Sequence, residues 1–220
     1  MTDGGWAVRH MLGDAACLHR RELPPAPERA VWVLDVVRPA LVLGSTQDEA
    51  IVDHAWAATW EVDVVRRRSG GGAVLVVPNE TLWVDVIVPA GDPLWQDDVA
   101  EAASWLGETW AAALGALGLG PTEVHHGAMA CGPLGRTVCF GATGAGEVSV
   151  GGRKVVGISQ RRTRAAARFQ CALYARWDPV PIARLLTLDE QAVAYLAGAA
   201  AGTAVDNAVA IDAFLARLPT

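Results

Sequence analysis

Three consecutive glycines, Gly70-Gly71-Gly72, stand between two segments patterned as β-strands, and no other feature constrains the chain as strongly. Residues 62–66 are rich in valine, and residues 73–77 (AVLVV) resume the same character. A glycine run in such a place lets the backbone approach a ligand and turn its N–H groups inward. The run does not open a helix and lacks the GK[ST] ending, so it is not a P-loop. No GxGxxG occurs, which removes the dinucleotide fingerprint. Beyond the loop, segments 73–77 and 81–88 flank Pro78-Asn79, a turn signal, and are expected to pair as a hairpin.

The remaining pattern alternates in the same way. Segments 30–37 and 41–43 read as strands, and 48–60 reads as a helix with Ile51, Val52, Ala55 and Trp56 on its apolar face. Segment 95–117 is the longest helical pattern, ended by Gly118, Gly120 and Pro121. Strands are expected again near 137–140, 147–150, 154–161 and 167–174, with Gly151-Gly152 as a tight hairpin between two of them. The start of the chain reads as an irregular piece and then a short helix, stopped by Pro24, Pro25 and Pro27. The tail, 179–218, is helical with a break at Gly198 and Gly202. These elements predict an α+β fold: a central, mostly antiparallel or mixed sheet flanked by helices. One domain over 1–220 is expected, with its core in 30–180 and a helical tail in 181–220.

Composition narrows the function classes. With 220 residues, 52% hydrophobic and 19% charged, the chain can bury a sizeable core, and disorder is excluded. No apolar run approaches the ~18 residues of a membrane span. The N-terminal MTDGGWAVRH has no apolar signal region. A net charge of −6 argues against nucleic acid as a partner. Four cysteines (17, 131, 139 and 171) without a CxxC pair fit a reduced, cytoplasmic setting better than a disulfide scaffold. His125-His126 with Cys131 and Cys139 match no standard zinc spacing, so no metal site is expected.

The basic residues are distributed unevenly. Of 18 Lys and Arg, one is Lys, at position 154. Arg66, Arg67 and Arg68 form one cluster, and Arg153, Lys154, Arg161, Arg162, Arg164 and Arg168 another, with no acid inside either segment. In an acidic protein this predicts a local anion site. Lys154 begins a strand just after the Gly-Gly turn. Strict alternation would set Lys154, Val156 and Ile158 on one face and Val155, Gly157 and Ser159 on the other. Gly157, interior to a strand, marks close approach to something. A flexible point cation and a glycine-lined wall are what stabilising charge on an α-phosphate and an acyl carbonyl requires.

Three segments carry a resemblance to a known family. Leu41-Val42-Leu43-Gly44-Ser45-Thr46-Gln47 is similar to a strand-Gly-x-x-Gln segment. Val65-Arg66-Arg67-Arg68-Ser69-Gly70-Gly71-Gly72-Ala73-Val74 resembles an RRxSGGGAV signature. Gly152-Arg153-Lys154-Val155-Val156-Gly157-Ile158-Ser159-Gln160 resembles a G-x-K-(hydrophobic)-x-G strand. In this order, with the last two about 80 residues apart, they resemble the lipoate–protein ligases, within the group of biotin ligases, lipoate ligases and octanoyltransferases. The resemblance covers roughly 30–180 and implies the catalytic domain without the extra C-terminal domain.

That resemblance implies adenylation of lipoate, octanoate or a similar acid with ATP and Mg²⁺, then transfer to a lysine of a lipoyl-acceptor domain or H-protein-like carrier. Lys154 would contact the acyl carbonyl and α-phosphate oxygens. Arg67, Arg68, Ser69, Gly70, Gly71, Gly72 and Ala73 would line the acyl-adenylate site, with Gly157, Ile158 and Ser159 as its other wall. Two departures open other readings. Val76-Val77 stand where the family often has His-Asp, and Gln170-Cys171 where a His-Gly pair usually follows. One alternative is an octanoyltransferase taking its acyl group from acyl carrier protein through a thioester on Cys139. Another is a non-catalytic lipoyl-binding or partner subunit.

Overall fold

The computed structural model describes residues 2–3 and 5–220. Its main sheet has eight strands: β1 (Thr2–Asp3), β2 (Trp6–Gly13), β3 (Ala30–Val36), β7 (Thr81–Pro89), β8 (Thr122–Val124), β11 (Val148–Val150), β12 (Arg153–Arg162) and β13 (Ala166–Tyr174). They lie in the order β1-β2-β3-β7-β13-β12-β11-β8. Only β2 and β3 run parallel; the other neighbours are antiparallel. A second sheet, ordered β5-β4-β6, consists of β4 (Ala40–Leu43), β5 (Asp63–Arg66) and β6 (Val74–Val76). A short ladder joins β9 (Ala130–Cys131) to β10 (Ala142–Thr143). The expected α+β architecture with a mixed sheet is what is found.

The central strands are apolar almost throughout because both faces of the main sheet are covered. On one face lie α3 (Ser104–Ala116) and α6 (Asn207–Leu215), whose Trp110 and Phe214 stack with centroids 4.0 Å apart. Burying two such rings contributes on the order of 1.5–3 kcal/mol each. On the other face sit α1 (Ala15–Arg20) and the small sheet, which packs Val42, Val74 and Val76 against Trp83 and Ile87. The far side of the small sheet is covered by α2 (His54–Thr59), α4 (Val180–Leu185) and α5 (Glu190–Ala199), through Ile182, Leu185 and Leu196. The candidate site residues collect between the two sheets.

Several expectations are corrected. Segments 73–77 and 81–88 do not pair with each other. The turn forms, with Thr81 N–H on the Val77 carbonyl at 3.0 Å, but β6 pairs with β4 and β7 with β3 and β13. The helix expected over 48–60 is a 3₁₀ turn at Glu49–Ile51 followed by α2, because the Asp48 and Asp53 side chains each cap a new start. The helix expected over 95–117 begins at Ser104. Asp92 and Asp98 hold the N–H groups of Leu94 and Ala100 and turn the preceding chain into loops. Residues 137–140 are not a strand but run into a 3₁₀ turn at Cys139–Gly141. The irregular start contains β2, held in the sheet by parallel pairing with β3.

Candidate active site

The glycine loop is a seat for another backbone. A Cβ on Gly72 would stand 2.6 Å from the Val138 carbonyl carbon, and one on Gly44 only 1.9 Å from the Gly71 oxygen. Neither position admits a side chain. Gly71 itself takes a left-handed φ of 99°. The Gln47 amide locks the arrangement, accepting from Gly44 N–H at 2.8 Å and donating to the Thr137 carbonyl at 3.0 Å. Ala73, fully buried, donates to the Thr137 carbonyl and accepts from Cys139 N–H at 2.9 Å. The loop therefore fixes Cys139 and the 3₁₀ turn that follows it.

That turn meets Lys154. The Lys154 ammonium, only 2% exposed as a residue, donates to the carbonyls of Cys139 (2.8 Å) and Ala142 (3.0 Å) and pairs with Glu147 at 2.6 Å. Its three N–H donors are thereby matched. The Cys139 sulfur lies 3.8 Å from the same nitrogen, and the Phe140 ring centroid lies 5.0 Å away. Burial works against the charge, but Cys139 and Glu147 outweigh it, and the ammonium is held above its ordinary pKa. Glu147 is buried too, and its other contacts are the N–H groups of Gly144 (2.6 Å) and Ile158 (2.9 Å).

The facing expected from strict alternation is wrong at Lys154. The β11/β12 register slips, Val148 opposing Val156 while Ser149 opposes Lys154, so β12 carries one extra residue. Val155 and Val156 both enter the core on the helical face. Lys154 instead shares the opposite face with Gly157, where a Cβ would stand 3.4 Å from its side chain, and with Ser159.

Two connected spaces open here. A narrow slot of about 40 Å³ runs between the sheets, lined by Val42, Val74, Val76, Trp83, Gly157 and Ala172 with polar His19, Ser159 and Gln170. A cleft of about 290 Å³ is lined by Gly70, Gly71, Gly72, Gly144, Glu147 and Lys154. Arg67, Cys139 and Ser159 border both. Arg67 is buried, and one of its nitrogens donates to the Gly70 and Gly72 carbonyls at 2.8 and 2.9 Å. Its Nε has no partner and no carboxylate pairs with it among the described residues. Burial lowers its pKa from a value far above neutrality, and arginine remains charged.

A polar chain crosses the slot. Ser69 Oγ donates to the Gln170 side-chain oxygen Oε1 at 3.1 Å and lies 3.2 Å from Ser159 Oγ, while the Gln170 Nε2 reaches His19 Nδ1 at 3.2 Å. His19 lies on Trp83, with centroids 4.2 Å apart. Burial, then the nearby Arg168 and Arg67 charges, push its pKa down to about 3, so the ring is neutral.

The structure brings together Lys154, Cys139, Arg67, Ser69, the three glycines, Gly157 and Ser159. Ile158 also borders the cleft, while its side chain packs into the helical-face core. Arg68 is not with them: its exposed side chain turns outward and pairs with Glu22. Ala73 is a support rather than a lining residue. The second basic cluster does not form one site, since Arg168 is buried in a pair with Asp85, its Nε at 2.6 Å, and Arg162 packs over Trp95. Sequence reasoning missed His19, whose partner is 151 residues away. Glu147 stands seven residues before Lys154 in the sequence, and only the fold reveals its burial and its pairing with that lysine.

A family model described as the lipoyl protein ligase A/B catalytic domain matches residues 11–207. No curated protein matches the chain in sequence. Among solved structures, the chain is similar to a lipoate-protein ligase A bound with ATP, at 14% identity and TM-score 0.69, covering 96% of this chain and 82% of that one. It is similar to a bi-partite lipoate protein ligase of Thermoplasma acidophilum, at 15% identity and TM-score 0.72, covering 96% and 81%. It is also similar to P. falciparum LipL1 in complex with lipoate, at 10% identity and TM-score 0.60, covering 96% and 58%. At these identities the likeness establishes the fold.

Proposed function

The chain belongs to the lipoyl protein ligase A/B catalytic domain family, and on that premise we propose that it activates lipoate or a medium-chain acid with ATP and transfers the acyl group to a lysine of an acceptor protein. The observation that carries this reading is Arg67: a buried guanidinium without a carboxylate, with a free Nε, where an apolar slot meets a glycine-lined cleft. A buried charge without a counterion favours an anion at that junction. The slot's apolar lining matches an acyl chain, which must widen the slot to enter, and the cleft suits phosphates. Related structures are described with ATP and with lipoate.

In this reading the substrate carboxylate attacks the α-phosphorus, the bond to the β-phosphate breaks, and pyrophosphate leaves. The acceptor amine then attacks the acyl carbon and AMP departs. Arg67 and Lys154 oppose the negative charge that develops on the phosphate and carbonyl oxygens. Because the Lys154 donors are all matched and its charge is paired with Glu147, its contact with substrate requires exchange of one acceptor. Magnesium enters with the nucleotide substrate. A cytoplasmic setting accords with the four free cysteines, and no described helix is long and apolar enough to cross a membrane.

The test is formation of acyl adenylate from lipoate or octanoate with Mg-ATP and no acceptor. Lys154→Arg should abolish most of it, because a planar fork cannot reproduce a point charge held by three converging oxygens. Near wild-type adenylation by that variant would remove Lys154 from its role.

One observation favours a second reading: Cys139 borders both spaces with its sulfur 3.8 Å from Lys154. In such chemistry the thiolate, not the thiol, is the nucleophile. The thiolate would attack an acyl-carrier thioester, release the carrier thiol and hold the acyl group as a new thioester. Mass spectrometry after exposure to octanoyl–carrier protein without ATP decides: an octanoyl adduct on Cys139, absent from Cys139→Ser, selects the transferase.

A further inference from the structure

Beside the slot, on the same face of the sheet, lies a group of arginines that neither reading uses. The β12/β13 register sets Ser159 opposite Gln170 at the slot and, two residues on, Arg161 opposite Arg168. Two residues along a strand span roughly 7 Å, so the guanidiniums begin one step beyond the slot. From the other side, Arg68 directly precedes Ser69, whose hydroxyl bonds Gln170. Glu22 joins the two sides, pairing with Arg68 and lying 3.9 Å from Arg161. Arg21, Glu22, Thr163, Arg161 and Arg168 line one hollow of about 190 Å³. Arg168 is spent on buried Asp85. Arg21 stacks over Trp32 and has no acidic partner among the described residues.

The remaining balance is three exposed or half-exposed guanidiniums: Arg68 and Arg161, which share the carboxylate of Glu22, and Arg21, which has no acidic partner among the described residues. This stands on a chain with a net charge of −6. A basic fringe on an acidic molecule, placed at the entrance to its reactive space, orients whatever must reach that space. A free fatty acid enters the slot itself and has no need of a fringe outside it. The acceptor does, because its lysine must be presented by a folded domain that rests on the surrounding surface.

We propose that Arg21, Arg68 and Arg161 form the docking surface for the acyl acceptor, a protein domain with carboxylates flanking its target lysine, and that Glu22 occupies Arg68 and Arg161 until the partner's carboxylates replace it. The proposal rests on the ligase reading, since it names the acceptor of that site. Glu22 then acts as a weak internal competitor: its hydrogen bond and ion pairs with Arg68 and Arg161 keep its pKa below the usual carboxylate value, and solvent exposure keeps those pairs readily exchangeable.

The experiment titrates the full chain with an unmodified E2 lipoyl domain that has acidic residues on both sides of its lysine, reading affinity directly at low and moderate salt. Adenylate formation is measured in parallel without acceptor. Wild type should bind with an affinity that falls steeply with salt. Arg161→Glu and Arg21→Glu should each weaken binding about ten-fold and flatten the salt dependence. Glu22→Gln should tighten binding by about three-fold. Adenylate formation in all three should stay within about two-fold of wild type, since only a rim charge changes. Thermal melts identify any variant that fails to fold, and Glu22→Gln, at an exposed position, keeps the question open to an answer even then. Unchanged binding in the folded variants, salt-independent binding by wild type, or weaker binding by Glu22→Gln would overturn the docking surface. Absence of adenylate in wild type would instead overturn the ligase reading, and the affinities would still judge the surface.

Discussion

Acidification should destabilise this protein through His19 in a way that one substitution removes. His19 sits between the Trp83 ring and the Gln170 amide, with the Arg168 and Arg67 charges close enough to act on it. Its pKa is about 3 in the folded state, against about 6.5 in an unfolded chain. The unfolded state therefore binds the extra proton between those values, and stability falls as pH drops through 6.5 toward 3. At pH 5 the unfolded imidazole is almost fully protonated and the folded one is not. The loss relative to neutral pH is about 2 kcal/mol, an upper figure because the ring borders the water-accessible slot. For a domain of this size that equals a fall of roughly 4–8 °C in Tm.

His19→Gln keeps a group able to bond Gln170 but cannot take a proton. Urea denaturation of both proteins at pH 7, 6 and 5 isolates the effect, because the other carboxylates and histidines titrate alike in each. Stability at pH 7 should differ by a constant that reflects the lost ring stacking. From pH 7 to 5 the wild type should lose about 2 kcal/mol more than the variant. Parallel curves would show that His19 titrates normally in the folded protein, and would refute the placement of its ring between Trp83 and two arginines.

Glu147→Gln should destabilise the protein by about 3 kcal/mol in urea titrations, since it leaves the buried Lys154 ammonium without its carboxylate. A loss well under 1 kcal/mol would deny the pair. Gly44→Ala should sharply reduce both stability and adenylation, because its methyl group would meet the Gly71 oxygen at 1.9 Å; wild-type behaviour would show that the loop yields freely. Gly198→Ala, in a helix where an added Cβ meets nothing within 4 Å, should stabilise by about 0.5–1 kcal/mol in the same titration.

Much of the fold was legible because its signals are local. Valine-rich segments announced β3 and β5 within a residue or two, and the segments expected near 154–161 and 167–174 match β12 and β13 as closely. Gly151 and Gly152, at φ of 56° and 73°, form the tight turn that their composition announces. The RRRSGGGAV loop and Lys154 could be singled out because one needs glycine backbone and the other is the sole lysine. What remained hidden depends on distant partners. Whether β6 joins β7 or β4 is a choice between equally apolar neighbours, settled only when the small sheet packs Val42, Val74 and Val76 on Trp83. The helix expected from 95 was withdrawn by aspartates that capture backbone N–H groups, a competition that periodicity does not register.

At the site, residue types were set by the sequence, but their facing was set by the fold. A β-bulge opposite Val148 and Ser149 turns Lys154 to the side of Gly157 and Ser159, because an inserted residue reverses the two-residue period on one side of it. Glu147 becomes the counter-charge of Lys154, and His19 a neutral ring in the slot, through contacts across 7 and 151 residues. Arg67 and Arg68 are adjacent and identical in type. Arg67 points between the sheets and donates to the Gly70 and Gly72 carbonyls, whereas Arg68 points to Glu22 and solvent, because the chain leaves its strand at Arg66 and bends at Arg68.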